Sequence, residues 1–385
     1  MPELSLQFFL FCFFCLTILI LLWYYLFYFA RISFYKENPE SVSPNDLPAS
    51  VIICAKNEDH NLPEFLPTIL SQDYPEYEVV VVDDCSWDNT TDVLREFEKK
   101  YSRLKVIKIK EPRISGAHGK KFALMVGIKG AQHEHLVFTD ADCKTESDQW
   151  LRRMMCKFSG EKEIILGYSK YEKLPGLLNK LIRFDTFHIA LQYLSFAQAG
   201  NPYMGVGRNL AYRKDLFFKH KGFASHYHIE SGDDDLFINE AANKKNTSID
   251  ISEKSFTVSR VKKDLKGWIE QKRRHLTTWS NYKSADKIRL GIYPVALALF
   301  WLSFIASLIV VNHHPVFSEY DGWVVLGLFL LKTGTQLAVF KLAMNKLKEK
   351  DLFLTSLLAE LFLLGFYPLL AISNTFFRRK KWKRI

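Results

Sequence analysis

Two short acidic runs carry the residue types and spacings that could do chemistry. Thr139-Asp140-Ala141-Asp142 sets two aspartates on one side of an extended segment, because alternate residues share a face. Oxygen ligands at that spacing suit Mg2+ or Mn2+, which take one or two carboxylates together with substrate phosphates and neutralise charge gathering on a diphosphate leaving group. Aspartates so spaced also occur in solvated turns, but the apolar run Leu136 to Phe138 directly in front favours the metal reading. The second run is Gly232-Asp233-Asp234-Asp235-Leu236, ahead of a helix-like stretch, Leu236 to Ala242. One aspartate suffices to cap such a helix. Three in succession repel and raise each other's pKa, so one of Asp233, Asp234 and Asp235 is a candidate general base for an acceptor hydroxyl.

A basic run, Gln271-Lys272-Arg273-Arg274-His275, lies among Leu265, Trp268, Ile269, Leu276 and Trp279 at near-helical spacing, which predicts an amphipathic helix on a membrane surface. Its cations either face lipid headgroups or, for Arg274, offer a planar donor fork to a diphosphate. The histidine pairs His133 with His135 and His226 with His228 lack a third metal ligand at ordered spacing.

The elements that must position these residues follow βαβ grammar. Strands are expected at Ser50 to Cys54, Glu78 to Val82, Lys105 to Ile109 and His135 to Thr139, with helices at Leu62 to Gln72, Thr90 to Lys100 and Lys120 to Gly130. Such alternation implies a mostly parallel α/β sheet covered on both faces, with ligands bound beyond the carboxyl ends of the strands. Asp83 and Asp84 stand at one such end and Asp140 and Asp142 at another, although Asp84 could serve only to cap the following turn. Leu174 to Phe196 is apolar at helical spacing and reads as a membrane-docking face or the lining of an acceptor entrance.

Outside this region the chain is apolar. Leu6 to Ala30 holds no charged side chain and is long enough to cross a hydrocarbon core of about 30 Å. It lacks the basic start and small-residue cleavage site of a signal peptide. Three further apolar segments follow at Leu290 to Val311, Trp323 to Ala343 and Leu352 to Ile372. Arg31 to Arg289 is rich in Lys and Arg and Asn312 to Gly322 contains neither, which places the central domain in the cytosol of an inner or plasma membrane. The basic tail Arg378 to Arg384 then belongs inside as well. Because Leu352 to Ile372 carries Glu360 at its middle and Pro368 near its end, that segment is expected to be re-entrant or interfacial. Lys332, mid-segment in one of the three expected spans, argues against that choice.

The excess of basic over acidic residues, 52 against 42, sits largely in juxtamembrane runs with no nucleic-acid motif beside them, so anionic lipid rather than nucleic acid is the expected partner. The six cysteines form no metal or disulfide framework.

The chain resembles family 2 glycosyltransferases, inverting enzymes with a GT-A fold, in their membrane-bound form. The resemblance rests on Ser50 to Glu58, Gln72-Asp73-Tyr74-Pro75, Val81 to Thr90, Gly119 to Leu124, Thr139 to Asp142 and Gly205 to Arg213, and covers roughly Ala49 to Trp279. It implies a nucleotide-sugar donor, expected to be a UDP-sugar, held by Ala55, Asn57, Glu58, Asp83, Asp84, Lys120, Asp140, Gln271 and Arg274. Asp142 with Asp140 would carry the metal and Asp234, or its neighbours, the base. A membrane lipid or lipid-linked glycan is the expected acceptor. Two departures matter: the family's Glu-Asp base motif reads Asp233-Asp234 with Asp235 adjacent, and the Trp that ends its Gln-x-x-Arg-Trp motif is His275, which weakens a polymerase reading. The expected division is a membrane helix at 1–30, a linker at 31–48, a cytosolic catalytic domain at 49–260, an interface helix at 261–287 and a membrane region at 288–385 with two or three spans. A membrane-bound nucleotidyltransferase and an inactive scaffold subunit are the rival readings.

Overall fold

A computed structural model of the chain describes residues 2–37, 46–110, 119–229, 231–313 and 321–376. The basic tail at 378–384, residues 38–45 of the expected linker and residues 314–320 of the loop at 312–322 lie outside the described residues. The chain divides into two compact units, one of Lys36–Tyr282 and one of Met1–Tyr35 with Lys283–Ile385.

The first unit is a two-sheet α/β structure. Its strands are β1 (Ala49–Ala55), β2 (Tyr77–Asp84), β3 (Leu104–Ile109), β4 (His135–Phe138), β5 (Cys143–Thr145), β6 (Ile164–Gly167), β7 (Ser169–Tyr171), β8 (Leu210–Arg213), β9 (Thr247–Asp250) and β10 (Thr257–Ser259). Seven form one sheet in the order β3-β2-β1-β4-β8-β6-β9, and β5-β10-β7 form a second. The first four are mutually parallel, and β8 runs antiparallel to both β4 and β6. Val79 to Val82 and Val51 to Ile53 are buried on both faces, as a continuous apolar run in a covered parallel sheet must be. Val51, Ile53, Val79, Val81 and Val137 pack with Leu62, Leu66, Trp150 and Met154 in one core.

The helix Lys120–Gly130 covers β1 and β2. Gly127 lets it approach, since a Cβ there would lie 2.8 Å from Ile52 Cγ2. That close seat carries the helix start, with Lys120, to the carboxyl ends of the strands. The helix Leu177–Gln198 does not offer its apolar side as a free docking face: Phe184, Phe187, Leu191 and Leu194 are buried, the helix packs on β7 and β9, and Tyr193 OH donates to Gly167 O at 2.7 Å.

Among its described residues the second unit holds four helices long and apolar enough to cross a membrane, Gln7–Ser33, Ser284–Val310, Asp321–Lys346 and Lys350–Asn374. Leu352 to Ile372, expected to be re-entrant or interfacial, opens inside a 3-10 turn at Lys350–Thr355 and continues in one helix, Ser356–Phe376, with no reversal in it. Glu360, the ground for that expectation, is enclosed by protein. It accepts from Tyr293 OH at 2.5 Å and Gln336 Nε2 at 2.6 Å, while Gln336 Oε1 accepts from Lys332 Nζ at 2.6 Å and Tyr25 OH lies 3.3 Å from Tyr293 OH. This chain of polar groups ties all four helices together and answers the cost of ionisable side chains at such positions.

Candidate active site

Sheet order and direction bring the separate sequence signals to one edge. The residues after β1 (Ala55 to Glu58), at the end of β2 (Asp83, Asp84) and after β4 (Thr139 to Asp142) all leave the carboxyl ends of neighbouring parallel strands. Strand β8 enters the sheet from that same edge, since Leu210 pairs with Phe138, so Gly207 to Asn209 join the crevice. A pocket there is lined by Cys54, Lys120, Thr139, Asp140, Gly207, Tyr212, Asp233 and Asp234.

Lys120 is the hub. Its Nζ lies 2.9 Å from Asp140 Oδ1 and 3.2 Å from Asp233 Oδ2, joining the two acidic runs through one ammonium. Burial alone would lower its pKa, but Asp140, Asp233 and Asp234 hold it well above the usual lysine range. Asp234 Oδ2 accepts from the Gly207 N–H at 2.7 Å and Oδ1 from the Asp235 N–H at 2.8 Å. A Cβ at Gly207 would stand in ordinary van der Waals contact with both groups, 3.4 Å from Asp234 Oδ2 and 3.7 Å from Lys120 Nζ. Burial, then the like charges of Asp233 and Asp235, push Asp234 up from 3.8 to about 7.

Asp235 is differently employed. Its Oδ2 accepts from Thr278 Oγ1 at 2.6 Å and Tyr282 OH at 2.8 Å, and its Oδ1 from the Leu236 N–H at 2.8 Å. The three adjacent aspartates therefore divide: Asp233 on Lys120, Asp234 at the pocket wall, Asp235 turned into the protein.

Asp140 and Asp142 offer oxygens, with the Cys143 sulfur, that all lie within 4.8 Å of one another. Burial acts to raise the Asp140 pKa, and Lys120, Arg208 and Arg274 outweigh it to leave it lowered. Burial and the Asp140 charge raise Asp142, whose Oδ1 has only long contacts, 3.4 Å from Ser259 Oγ and 3.5 Å from Cys143 Sγ. Two carboxylates in mutual repulsion, one of them weakly partnered, fit a divalent cation with oxygen preference. The buried Cys143 thiol, pushed well above its ordinary pKa, stays protonated and does not suit such an ion.

The β1 and β2 loops are laced together. Asn57, at φ 59, donates its N–H to Ser86 Oγ at 3.0 Å and accepts from the Trp87 N–H at 3.0 Å, and the Glu58 N–H donates to Thr90 Oγ1 at 2.7 Å. Asp83 is buried with both oxygens taken, by the Ser86 N–H at 3.0 Å and Thr91 Oγ1 at 2.6 Å, so it shapes this cradle rather than facing into it. Asp84 sits 3.9 Å from Lys56 Nζ. Burial, then Asp142 and Asp140, raise Glu58, so it stands within electrostatic reach of that pair.

The helix Leu265–Leu276 is not simply a lipid-facing element. Trp268 and Lys272 are buried, Lys272 pairs with Asp185, and Gln271 Nε2 donates to Tyr171 OH at 3.0 Å. Arg274 remains exposed within electrostatic reach of Asp140. Two residues had no role in the sequence reading. Lys121 Nζ donates to His226 O at 2.6 Å and Ile229 O at 2.9 Å, tying the approach to the acidic run onto the Lys120 helix. Burial lowers its pKa to about 8. Arg208 lies beside Asp140 and Asp142; its signal was its place inside the glycine segment Gly205 to Arg213.

Comparison with known proteins agrees with this geometry. Residues 50–220 match the family described as glycosyl transferase family 2. Glycosyltransferase AglE of Haloferax volcanii is 33% identical over 140 residues, 36% of this chain and 44% of that protein. Beta-monoglucosyldiacylglycerol synthase of Nostoc is 32% identical over 125 residues, 32% of this chain and 25% of that protein. The matches span less than half the length of these curated relatives. Among solved structures, mannosyltransferase PcManGT from Pyrobaculum calidifontis, in complex with GDP-Man and Mn2+, aligns with a TM-score of 0.54 at 20% identity, over 93% of this chain and 99% of that one. Residues 50–220 thus resemble a family 2 glycosyltransferase domain, the fold is GT-A-like, and the described residues include four apolar helices long enough to cross a membrane.

Proposed function

We propose that this domain transfers a sugar from a nucleotide-sugar, a UDP-sugar by expectation, to a hydroxyl of a membrane lipid or lipid-linked glycan, with inversion, at the cytoplasmic face of an inner or plasma membrane. The observation that carries the reading is the meeting of both acidic runs on Lys120 in one pocket. A nucleotidyltransferase or an inactive scaffold has no use for a raised carboxylate placed there beside the cation site.

The laced loops after β1 and β2, with Asn57, Glu58 and Asp84, hold the nucleoside. Asp142 and Asp140 would hold Mg2+ or Mn2+, which would supply positive charge to the diphosphate. Arg274 and Lys120 add fixed cations near it, and Gln271 helps position the helix that carries Arg274. Asp234 takes the proton of the acceptor hydroxyl. The acceptor oxygen forms its bond to the anomeric carbon as the bond from that carbon to the diphosphate oxygen breaks, and its electron pair leaves with the nucleotide. One such displacement inverts the centre. No protonating acid is needed, because a diphosphate is a good leaving group, unlike the alcohol of an ordinary glycoside. An Asp234 titrating near 7 suits the task, since a base is most effective when its pKa lies near working pH. The membrane setting and the lipid acceptor draw support from the four apolar helices and from the diacylglycerol named for one relative.

The test is transfer of label from a panel of nucleotide-sugars into membrane lipid extract by the purified full chain. Label entering a lipid only with Mg2+ or Mn2+ supports the reading. Cleavage between the phosphates, or no turnover with any donor, overturns it.

A further inference from the structure

Arg208 makes no close ion pair, although Asp140 and Asp142 stand within electrostatic reach, and the chain has fixed its backbone in place. Its carbonyl accepts from Thr139 Oγ1 at 3.1 Å and Thr257 Oγ1 at 3.0 Å, so the strand end that starts the metal motif and a strand of the small sheet both pin its backbone. The next residue, Asn209, is fully buried and anchored, accepting from Trp150 Nε1 and donating to Tyr168 O and Ser255 O. The guanidinium lies 4.5 Å over the Tyr171 ring, whose hydroxyl Gln271 holds. Stacking of this kind fixes the plane of the donor fork without using its N–H groups. Nη1 is buried and has no partner, and no carboxylate of the described residues lies within ion-pair distance of the side chain. A fixed donor fork with a buried, unfilled N–H suits an anionic acceptor, and one that arrives with a cation on Asp140 and Asp142 would not be repelled by those carboxylates.

Sheet order says which anion. Passing from β2 and β1, whose loops would hold the nucleoside, through β4 with Asp140 and Asp142, the next strand is β8 with Arg208 at its entry. Its neighbour Gly207 holds Asp234. Arg208 therefore lies past the cation site, on the side of the reacting sugar. We propose that Arg208 binds the distal phosphate of the donor, the one bonded to the sugar, and neutralises the charge that collects there as the sugar departs. This rests on the nucleotide-sugar reading above.

The experiment uses the full chain in lipid nanodiscs with Mn2+, comparing wild type with Arg208→Gln and Arg208→Lys. UDP, UMP, GDP and GMP are titrated calorimetrically, and transfer is followed in parallel. Arg208→Gln is expected to weaken the diphosphate of the preferred nucleoside about tenfold or more, to change the monophosphate less than about threefold, and to lower kcat. Arg208→Lys should fall between, because it keeps the charge and loses the fork. Retained monophosphate binding shows that the site is folded; if Arg208→Gln does not purify, Arg208→Lys is read by the same criterion. Equal loss for monophosphate and diphosphate, or no loss for either, overturns the assignment of Arg208 while leaving the transferase reading intact. A wild type that binds none of the four nucleotides overturns the transferase reading itself.

Discussion

Glu360 and Asp234 are both carboxylates set inside the protein, one in the helical unit and one in the α/β unit, and their surroundings differ in kind. Both oxygens of Glu360 are taken by neutral side-chain donors, Tyr293 OH and Gln336 Nε2, and the chain continues to Lys332 and Tyr25. Asp234 receives only two backbone N–H groups and is crowded by Asp233, Asp235 and Lys120. The first arrangement satisfies a charge and ties helices together. The second leaves a charge under repulsion and beside a pocket, which costs stability and is what proton transfer needs. The same contrast appears between neighbours, since Asp235 accepts three hydrogen bonds, two of them from the Thr278 and Tyr282 hydroxyls, while Asp234 accepts two, both from backbone N–H groups.

Carboxamide substitution should separate the two regions. Asp142→Asn and Asp234→Asn are expected to lower kcat by about 10³-fold, the first by loss of a cation ligand and the second by loss of the base, with the fold intact by circular dichroism. Wild-type activity in either would break the comparison on its functional side. The pH profile should be nearly as large an effect: because Asp234 must be ionised to act and titrates at about 7, kcat/KM should rise tenfold per unit below that pH and level off above it. A profile flat from pH 5 to 8 would move the base elsewhere.

Stability should run the other way. Asp234 is raised from 3.8 to about 7, so the folded state disfavours its charged form. That penalty is absent below pH 4, grows as pH rises, and is complete above pH 7. Asp234→Asn should therefore raise Tm at pH 8 and leave it nearly unchanged at pH 4. In the helical unit, Glu360→Leu strands Tyr293, Gln336 and Lys332 and should cost about 1–3 kcal/mol, read as a lower unfolding midpoint in detergent. The smallest expected effect is Glu360→Gln, under about 1 kcal/mol, since an amide can still accept from one neighbour and donate to another. If Glu360→Gln proved as damaging as Glu360→Leu, the charge itself would matter there, and the two regions would be more alike than their geometry shows.

The central parallel strands were legible because each is an apolar run ending in a turn or an acidic residue, the pattern that burial on both faces imposes. Strands β5 to β10 were not, because three- and four-residue segments carry too few side chains to show a period. The lipid-facing reading of the Leu265–Leu276 helix missed the buried ion pair of Lys272 with Asp185, which depends on a residue far away in the chain. Glu360 was legible only in part for a related reason: sequence shows an ionisable residue in an apolar segment but not the Tyr293 and Gln336 that meet it from other helices. Asp140, Asp142 and Asp233 to Asp235 were visible as candidates, yet Lys120 as the link between them and Asp235 as a satisfied member of its run needed coordinates.

The most direct test is a paired measurement on Asp234→Asn in the full chain with Mn2+: affinity for the nucleotide-sugar by calorimetry, and single-turnover transfer with the same donor. If Asp234 is the base, affinity stays within about threefold of wild type while transfer falls about 10³-fold. Transfer at the wild-type rate, or affinity and transfer lost together, would contradict that assignment.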